Sequence, residues 1–348
     1  MDHRSPDGLA VARAGARVSA AIVDAPGAEP RIGWVEPLSR AAEHTTLAVI
    51  AAPLNPLDLL VASGTFHSAR HEAAYVPGSE CVGVVVESDR FHPGALLYAE
   101  CHASPTTPGT FATHVTVPDA DLLPLPEGVD PVQAAAVGNS GTAAFMPLVE
   151  VAGLKPDDAV LVLGATGAVG QLAVQIAHLR GADRVIGVAR DREALERLRA
   201  LGAQDVVELR VDESAEQLAL RIQEVAGLVD VVLDGLYGVP FEAALQTCAP
   251  RARVVNIGHS AGPNATISAG LLRGRQLTVS GFAGLHTPLR DKRIALEWLW
   301  NELSGNRLQV AVATVSLEEL PIAWRAQATS PHVNYVVVPT SPKDVSFA

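Results

Sequence analysis

The sequence predicts an α/β protein with a doubly wound parallel sheet and a second domain rich in β-strands. A short apolar run, Val160–Leu163, is followed at once by closely spaced glycines and then by apolar residues at helical spacing. Beyond Asp130, apolar strands alternate with helical patterns, as is typical of a parallel sheet. Before residue 129, strand patterns with proline and glycine breaks dominate instead.

The glycines after the first apolar run lie in the segment GATGAVG, which we term the glycine turn. Between a strand and a helix, such glycines indicate dinucleotide binding. One lets the chain turn sharply, one lets the backbone approach a pyrophosphate, and one lets the helix pack on the strand. The spacing is G-x-x-G-x-x-G, so an ordinary tight turn is the alternative. The residues expected to bind the cofactor are Gly164, Ala165, Thr166, Gly167, Ala168, Val169 and Gly170.

The first region reads as a β-rich domain over residues 1–128, of which residues 1–17 form a loose arm. In chain order, the predicted elements are strand Val18–Val23, strand Leu47–Ala51, a break at Asn55–Asp58 with a short helix to about Ala62, a loop and strand over Tyr75–Glu87, and strand Gly109–Val117. Pro118, Pro124 and Pro126 mark the end of this region.

The second region, residues 129–285, begins with a helical stretch, Pro131–Val151, that is interrupted at Gly138–Gly141. Its predicted strands are Val160–Leu163, Arg184–Val188, Asp205–Leu209, Val229–Leu233, Arg253–Ile257 and Gln276–Ser280. A helix at about Arg290–Glu302 follows, and then strand-like segments at Val310–Val315 and Tyr335–Val338. We expect this tail, residues 286–348, to return to the first domain.

Composition limits the function classes. At 348 residues the chain exceeds one typical domain, and its 48% hydrophobic content is ample for two cores. A net charge of −12 argues against nucleic acid or an anionic membrane as a partner. The three cysteines are widely spread and form no disulfide framework. No membrane-spanning run or secretory signal is evident, so we expect a cytoplasmic protein.

Five segments together resemble the medium-chain dehydrogenase/reductase superfamily, and within it the zinc-less quinone oxidoreductase branch. They are NPLD at Asn55–Asp58, PGSECVGVVVE at Pro77–Glu87, the glycine turn, VDVVLDGLYG at Val229–Gly238, and RVVNIGHSAG at Arg253–Gly262. The resemblance runs from Val18 to Pro339. It implies a GroES-like, partly open β-barrel catalytic domain and a Rossmann domain, with the active site in the cleft between them.

The resemblance also implies where zinc-dependent relatives hold their metal. This chain has Asn55, Ser79 and Gly138 at those positions, and none offers the thiolate, imidazole or carboxylate that zinc prefers. His67 and His71 could hold a metal at helical i, i+4 spacing, but the stretch lacks a helical apolar stripe. We therefore expect no metal. Without a Lewis acid, hydride transfer favours an electron-poor acceptor such as a quinone or an α,β-unsaturated carbonyl.

The resemblance places catalytic candidates in the first domain. Asn55 stands where branch members have an active-site asparagine, with an Asx-type turn before Pro56 as the alternative. Phe66 replaces a tyrosine that is the proposed proton donor in enoyl reductases of the branch, and phenylalanine has no proton to give. His67, Tyr75 or water could take that role. The missing tyrosine weakens the enoyl-thioester reductase interpretation.

Other candidates belong to the nicotinamide end of the cofactor. Thr142 lies where the family contacts it, with a helix N-cap as the alternative. The family also uses backbone positions in two loops near the nicotinamide. In this chain, the loop after Arg253–Ile257 contains Gly258, His259 and Ser260, and the second loop contains Phe282.

The second strand of the parallel sheet ends at Ala189, where NAD-selective proteins carry an acidic residue that binds the ribose. Arg190 and Arg192 follow, and a guanidinium can bind a phosphate with two hydrogen bonds. Asp191 could point at the ribose, but capping the next helix is its expected role. The residues therefore predict NADPH as the cofactor.

The sequence predicts an NADPH-dependent, zinc-independent reductase of a small quinone or enone substrate. A pathway-specific double-bond reductase, and a cofactor-binding protein with little activity, are the alternatives. We also expect a homodimer, because Gln276–Phe282 is apolar, β-prone and last in the sheet, and the family commonly pairs this edge.

Overall fold

The computed structural model describes residues 17–65 and 73–340, which form two compact units. The first contains the described residues up to Gly138, Pro288–Arg293, and those from Val312 onwards; the second contains Asn139–Thr287 and Ile294–Ala311. The predicted loose arm, apart from Arg17, lies outside the described residues, as do Phe66, His67 and His71. Within the described ranges, no helix combines the length and apolarity needed to cross a bilayer.

The elements of the first unit up to the boundary are β1 (Val18–Ile22), β2 (Arg31–Val35), β3 (His44–Pro53), α1 (Pro56–Ala62), β4 (Glu80–Glu87), β5 (Leu96–Glu100), β6 (His114–Pro118), β7 (Leu122–Pro124) and α2 (Pro131–Ala136). Helix α3 (Gly138–Phe145) continues into a π-helical turn, Met146–Val151.

The elements that follow are β8 (Ala159–Leu163), α4 (Ala168–Leu179), β9 (Arg184–Ala189), α5 (Arg192–Arg197), β10 (Asp205–Glu208), α6 (Ala215–Ala226), β11 (Val229–Asp234), α7 (Gly238–Thr247), β12 (Cys248–Asn256), α8 (Ala269–Arg275), β13 (Thr278–Gly281), α9 (Leu289–Ser304), β14 (Val312–Val315), α10 (Leu320–Gln327) and β15 (Asn334–Val337).

The first unit is built on a seven-stranded sheet in the order β14-β15-β3-β4-β5-β7, with β6 also paired to β3. Strands β1 and β2 form a separate antiparallel ribbon. The described strands do not close into a barrel, in agreement with the partly open barrel that was predicted. The C-terminal strand β15 pairs with β3 through Val336 and Val337.

The second unit is built on a six-stranded parallel sheet in the order β10-β9-β8-β11-β12-β13. Strand β8 is apolar throughout because helices cover both faces of such a sheet; Leu161 and Val162, for example, are fully buried. The chain passes from β8 to β9 on one side and resumes with β11 on the other. The topological switch point therefore lies between β8 and β11, and the predicted doubly wound sheet is confirmed.

One predicted interruption is wrong. Helix α3 runs through Gly138–Gly141, and the break falls at Val137, which ends α2. A Cβ atom on Gly141 would lie 2.6 Å from Leu299 Cδ1. Gly141 is thus a close-packing residue within the helix, and glycine frequency alone cannot distinguish that role from a helix break.

The tail also divides differently from the prediction, which assigned all of residues 286–348 to the first domain. Ile294–Ala311 clusters with the second unit. The Trp298 ring packs against Phe145 with 5.2 Å between centroids, and Leu299 packs on α3. The apolar face of α9 explains this, because it is buried against another helix of the same unit.

Candidate functional site

The glycine turn joins β8 to α4 at the carboxyl edge of the parallel sheet. Gly164 has φ of 82°, a left-handed conformation that favours glycine, and its N–H donates to the Val188 carbonyl (2.9 Å). The Ala165 N–H donates to the same carbonyl (3.1 Å). These bonds fix the start of the turn against β9, so its shape is set by the protein itself.

The other two glycines have different environments. A Cβ atom on Gly170 would lie 2.6 Å from the Ala165 Cα atom, so only glycine allows α4 to approach β8 this closely. A Cβ atom on Gly167 would contact only the Gly164 carbonyl oxygen, at 3.5 Å. Gly167 therefore leaves open space at the start of α4, where the helix N–H groups face outward. That space fits a pyrophosphate, because the free N–H groups there bind anions.

The end of β9 carries the residues predicted to choose the cofactor. Ala189 is buried and Arg190 is exposed. No hydrogen bond or ion pair joins the Arg190 side chain to the described part of the chain, whereas Arg192 lies 3.9 Å from Glu208. Asp191 caps α5 by accepting from the Ala194 N–H (2.9 Å), as predicted. Arg190 is thus available to an anion.

On the other side of the switch point, the loops after β11 and β12 are held together by Asp234 and Asn256. Asn256 Nδ2 donates to Asp234 Oδ2 (2.7 Å) and to the Gly258 carbonyl (2.7 Å). The exposed Ser260 hydroxyl donates to the Gly235 carbonyl (3.2 Å). The Asp234 side chain is fully buried, and burial raises its pKa above the ordinary value.

The remaining nicotinamide-end candidates lie at the same edge or in α3. His259 is exposed, and the Phe282 N–H donates to the Asn256 carbonyl (2.9 Å). Thr142 lies inside α3, where its hydroxyl donates to the Asn139 carbonyl (3.1 Å), so it is not the N-cap that was the alternative. Contact of these residues with a cofactor stays a prediction.

In the first unit, Asn55 belongs to a buried polar cluster. Its Nδ2 donates to Glu80 Oε1 (2.7 Å), and the Tyr98 hydroxyl donates to Glu80 Oε2 (2.6 Å). Asn55, Glu80 and Tyr98 are almost wholly buried. A Cβ atom on Gly138 would lie 2.7 Å from Tyr98 Cε2 and would also clash with Glu80. Asn55 is therefore tied to a carboxylate, with its amide nitrogen directed into the protein.

Asp58 and Tyr75 are buried near this cluster. The Asn55 N–H donates to Asp58 Oδ2 (2.8 Å) at the start of α1, so Asp58 orders the local backbone. Burial raises the pKa of Asp58 to about 7, although that hydrogen bond works in the opposite direction. Burial, together with the nearby Asp58, raises the pKa of Tyr75. The Tyr75 hydroxyl is shielded from solvent, and His67 lies outside the described residues.

Comparison with known proteins assigns the family. The family model for the alcohol dehydrogenase GroES-like domain matches residues 41–127. The family model described as zinc-binding dehydrogenase matches residues 168–301. A human quinone oxidoreductase is 28% identical over 221 residues, which are 62% of this chain and 65% of that protein. The chain belongs to the medium-chain dehydrogenase/reductase superfamily.

Other proteins share the fold or part of the sequence of this chain. A mycobacterial quinone oxidoreductase has the same fold, with a TM-score of 0.80 and 23% identity over 92% of this chain and all of that one. A phenolphthiocerol/phthiocerol polyketide synthase of Mycobacterium tuberculosis is 31% identical over 85% of this chain. The chain spans only 13% of the length of that synthase. The predicted branch and the GroES-like domain are confirmed.

At the three positions where zinc-dependent relatives hold their metal, this chain has residues that do not fit zinc. The Asn55 amide nitrogen is a donor to Glu80, Ser79 offers only a hydroxyl, and Gly138 has no side chain. In the ranges that the structure describes, no three His, Cys, Asp or Glu side chains form a group that could hold a metal.

The sequence analysis did not identify two buried carboxylates of this chain, Glu80 and Asp234, or their hydrogen-bonding partners. Glu80 opens the apolar strand β4, and Asp234 ends the apolar strand β11. A charged residue inside or directly after such a run is a recognisable pattern, because burial requires hydrogen-bonding partners. The partners Tyr98 and Asn256 come from distant parts of the sequence and are visible only in the fold.

Asp58 gives a testable pH dependence. Its pKa is about 7 in the folded protein and near the ordinary value of 3.8 in the unfolded chain, so the folded protein binds more protons between these values. The free energy of unfolding should therefore fall as pH rises from 4 to 7, by up to about 1.4 kcal/mol per pH unit from this group. Asp58→Asn should remove that contribution. Urea unfolding from pH 5 to 8 measures the difference.

Asp130→Asn serves as the control for this comparison, because Asp130 is an exposed acidic residue that also lies at the start of a helix. Its slope of stability against pH should match that of the wild type. An Asp58→Asn slope identical to the wild-type slope would contradict a raised pKa for Asp58.

Proposed function

We propose that the protein is an NADPH-dependent, zinc-independent reductase that transfers hydride to a quinone or an α,β-unsaturated carbonyl compound. One observation carries this proposal. The open space at Gly167 and the exposed, unpaired Arg190 lie at the carboxyl edge of one parallel sheet, beside its topological switch point. Open α/β sheets bind dinucleotides at this place.

The residues of this edge support NADPH over NADH. The small, neutral Ala189 leaves room for a 2′-phosphate, and Arg190 supplies the charge that such a phosphate needs. The N–H groups at the start of α4 would receive the pyrophosphate. A mycobacterial protein of the same fold, with a TM-score of 0.80 and 23% identity, has been solved in complex with NADPH.

Zinc independence rests on the donor set at Asn55, Ser79 and Gly138, which does not fit the metal. When bound, NADPH supplies a hydride. Without a Lewis acid, the acceptor itself must delocalise the negative charge, as a quinone or an enone does. The human relative named quinone oxidoreductase supports this substrate class.

Asn55, His67 and Tyr75 remain the proposed catalytic residues, but the geometry favours different roles for two of them. Asn55 directs its amide nitrogen to Glu80, and the Tyr75 hydroxyl is buried. These positions are better suited to stabilising the local structure than to donating a proton to a substrate. A cytoplasmic location likewise remains a prediction from the sequence.

A second candidate is a pathway-specific, enoyl-type double-bond reductase. The match to a polyketide synthase over 85% of this chain, at 31% identity, favours it. Phe66, in place of the expected tyrosine, counts against it. A protein that binds the cofactor with little activity is the third possibility, and the same assay separates all three.

The deciding experiment is steady-state NADPH oxidation with three acceptors, namely a small quinone, a small enone and an enoyl thioester. We expect turnover of the quinone or the small enone in the presence of a chelator, and metal analysis without stoichiometric zinc. Preference for the enoyl thioester would support the second candidate. Loss of activity on chelation, or no turnover of any acceptor, would contradict the proposal.

Cofactor choice is tested by Arg190→Ala. Removing one charge-assisted contact should cost about 1.5–3 kcal/mol, or roughly ten- to hundredfold in NADPH affinity, while NADH binding changes little. Isothermal titration calorimetry with both dinucleotides measures this. Arg273→Ala, an exposed arginine on α8, is the matched control and should change neither affinity. Equal weakening of both dinucleotides by Arg190→Ala would contradict the assignment.

The proposed homodimer is tested at strand β13, which is the last strand of the parallel sheet and has an exposed Val279 (38%). Edge strands of this kind need cover. Val279→Asp should shift a dimer towards monomer in size-exclusion chromatography with light scattering. Val211→Asp, at an exposed valine (90%) outside the strands, should not. A wild-type monomer at micromolar concentration would contradict the dimer.

A further inference from the structure

The turn between β11 and α7, Asp234–Gly238, lies directly beside the glycine turn. The Gly235 N–H donates to the Leu163 carbonyl at the end of β8 (3.2 Å). Leu236 Cδ2 lies 3.3 Å from where a Cβ atom on Gly164 would stand. The two turns therefore flank the topological switch point, and whatever binds in that crevice meets residues of both.

Tyr237, within this turn, has an unfavourable backbone conformation. Its φ and ψ angles are 58° and −163°, a combination that is open almost only to glycine. Gln276, by comparison, has φ of 52° and ψ of 44°, in the ordinary left-handed region. A residue other than glycine at such a position is held there by its surroundings, and strain of this kind concentrates at functional sites.

Hydrogen bonds hold the backbone of the turn in this conformation. Asp234 Oδ1 accepts from the N–H groups of both Leu236 and Tyr237, at 2.9 Å each. The Leu236 carbonyl accepts from the Ala261 N–H (2.8 Å). Because Asn256 in turn fixes the other Asp234 oxygen, the turn is rigid before any ligand binds.

The side chain of Tyr237 is half-buried. Its ring packs against Phe241 in the first turn of α7, with 4.8 Å between ring centroids. The hydroxyl forms no hydrogen bond to any residue in the described ranges. A phenylalanine ring could pack against Phe241 equally well, and glycine would adopt the backbone conformation with less strain. The fold holds the strained backbone in place but gives the hydroxyl no partner among the described residues.

We propose that Tyr237 binds the cofactor, and that the rigid turn presents its hydroxyl to the nicotinamide-ribose half of the dinucleotide. The end of β9, with Ala189 and Arg190, belongs to the adenosine half on one side of the switch point. The other half must then lie on the side of β11 and β12, where Tyr237 stands. This inference rests on the proposed function, since it assumes that a dinucleotide binds at this edge.

Binding of two ligands tests the hydroxyl. Calorimetry is performed with NADPH and with 2′-phospho-ADP-ribose, which lacks the nicotinamide. Tyr237→Phe should weaken NADPH binding roughly three- to tenfold, the effect of one neutral hydrogen bond, and leave 2′-phospho-ADP-ribose unchanged. The control is Tyr335→Phe, at a half-buried tyrosine of the first unit, which should change neither ligand.

Thermal unfolding tests the strain. Tyr237→Ala and Tyr237→Gly both lose the ring, but only glycine relieves the backbone, so the glycine variant should have the higher Tm. Both should bind NADPH more weakly than the wild type. Equal Tm values would overturn the strained conformation, and unchanged NADPH affinity in Tyr237→Phe would overturn the role of the hydroxyl.

The outcomes separate this inference from the proposed function. If the wild type prefers NADH, the same comparison is made with NADH and ADP-ribose, and the expectations for Tyr237 stand. If the wild type binds a dinucleotide and Tyr237→Phe weakens both members of the pair equally, the hydroxyl supports the fold rather than the nicotinamide half. If the wild type binds no dinucleotide, both proposals are wrong.

Discussion

The second unit depends on the close approach of α4 to β8 at Gly170. A side chain there would collide with Ala165, and the helix would have to move away from the strand. That approach directs the start of α4 at the open space beside Gly167. The same geometry that lets the sheet and helix pack to interior density therefore also creates the proposed anion-binding end of the site. Packing and the proposed ligand binding share one constraint in this unit.

Each unit contains a buried carboxylate that organises its surroundings. Glu80 accepts from Asn55 and Tyr98 in the first unit, and Asp234 accepts from Asn256 and two backbone N–H groups in the second. A buried carboxylate is costly unless its oxygens are satisfied. Satisfied in this way, it fixes several segments at once, because a bond to a charged acceptor is stronger than a neutral one. The loops after β11 and β12 owe their shape to such bonds.

The sequence predicts the parallel sheet well, because a strand that is buried on both faces, such as β8, is a continuous apolar run. The three glycines of the glycine turn are likewise recognisable from their spacing directly after that run. The Asp191 cap is likewise predictable, since it depends on a contact three residues away. The interruption predicted at Gly138–Gly141 is wrong because the reason for Gly141, its contact with Leu299, is distant in the sequence. Strands β2, β5 and β7 are absent from the prediction, although β2 and β5 are as long as the predicted strands β1 and β8. Asp234, which holds the Tyr237 backbone, is only three residues away, but the Asn256 contact that fixes Asp234 is distant in the sequence and is visible only in the fold.

NADPH is proposed to bind at the carboxyl edge of the parallel sheet, with its 2′-phosphate at Arg190. A crystal structure of the protein with NADPH tests this most directly. We predict the pyrophosphate over the start of α4 at Gly167 and the 2′-phosphate within hydrogen-bonding distance of the Arg190 guanidinium. A dinucleotide bound at another face of the sheet, or a 2′-phosphate turned away from Arg190, would contradict the proposal.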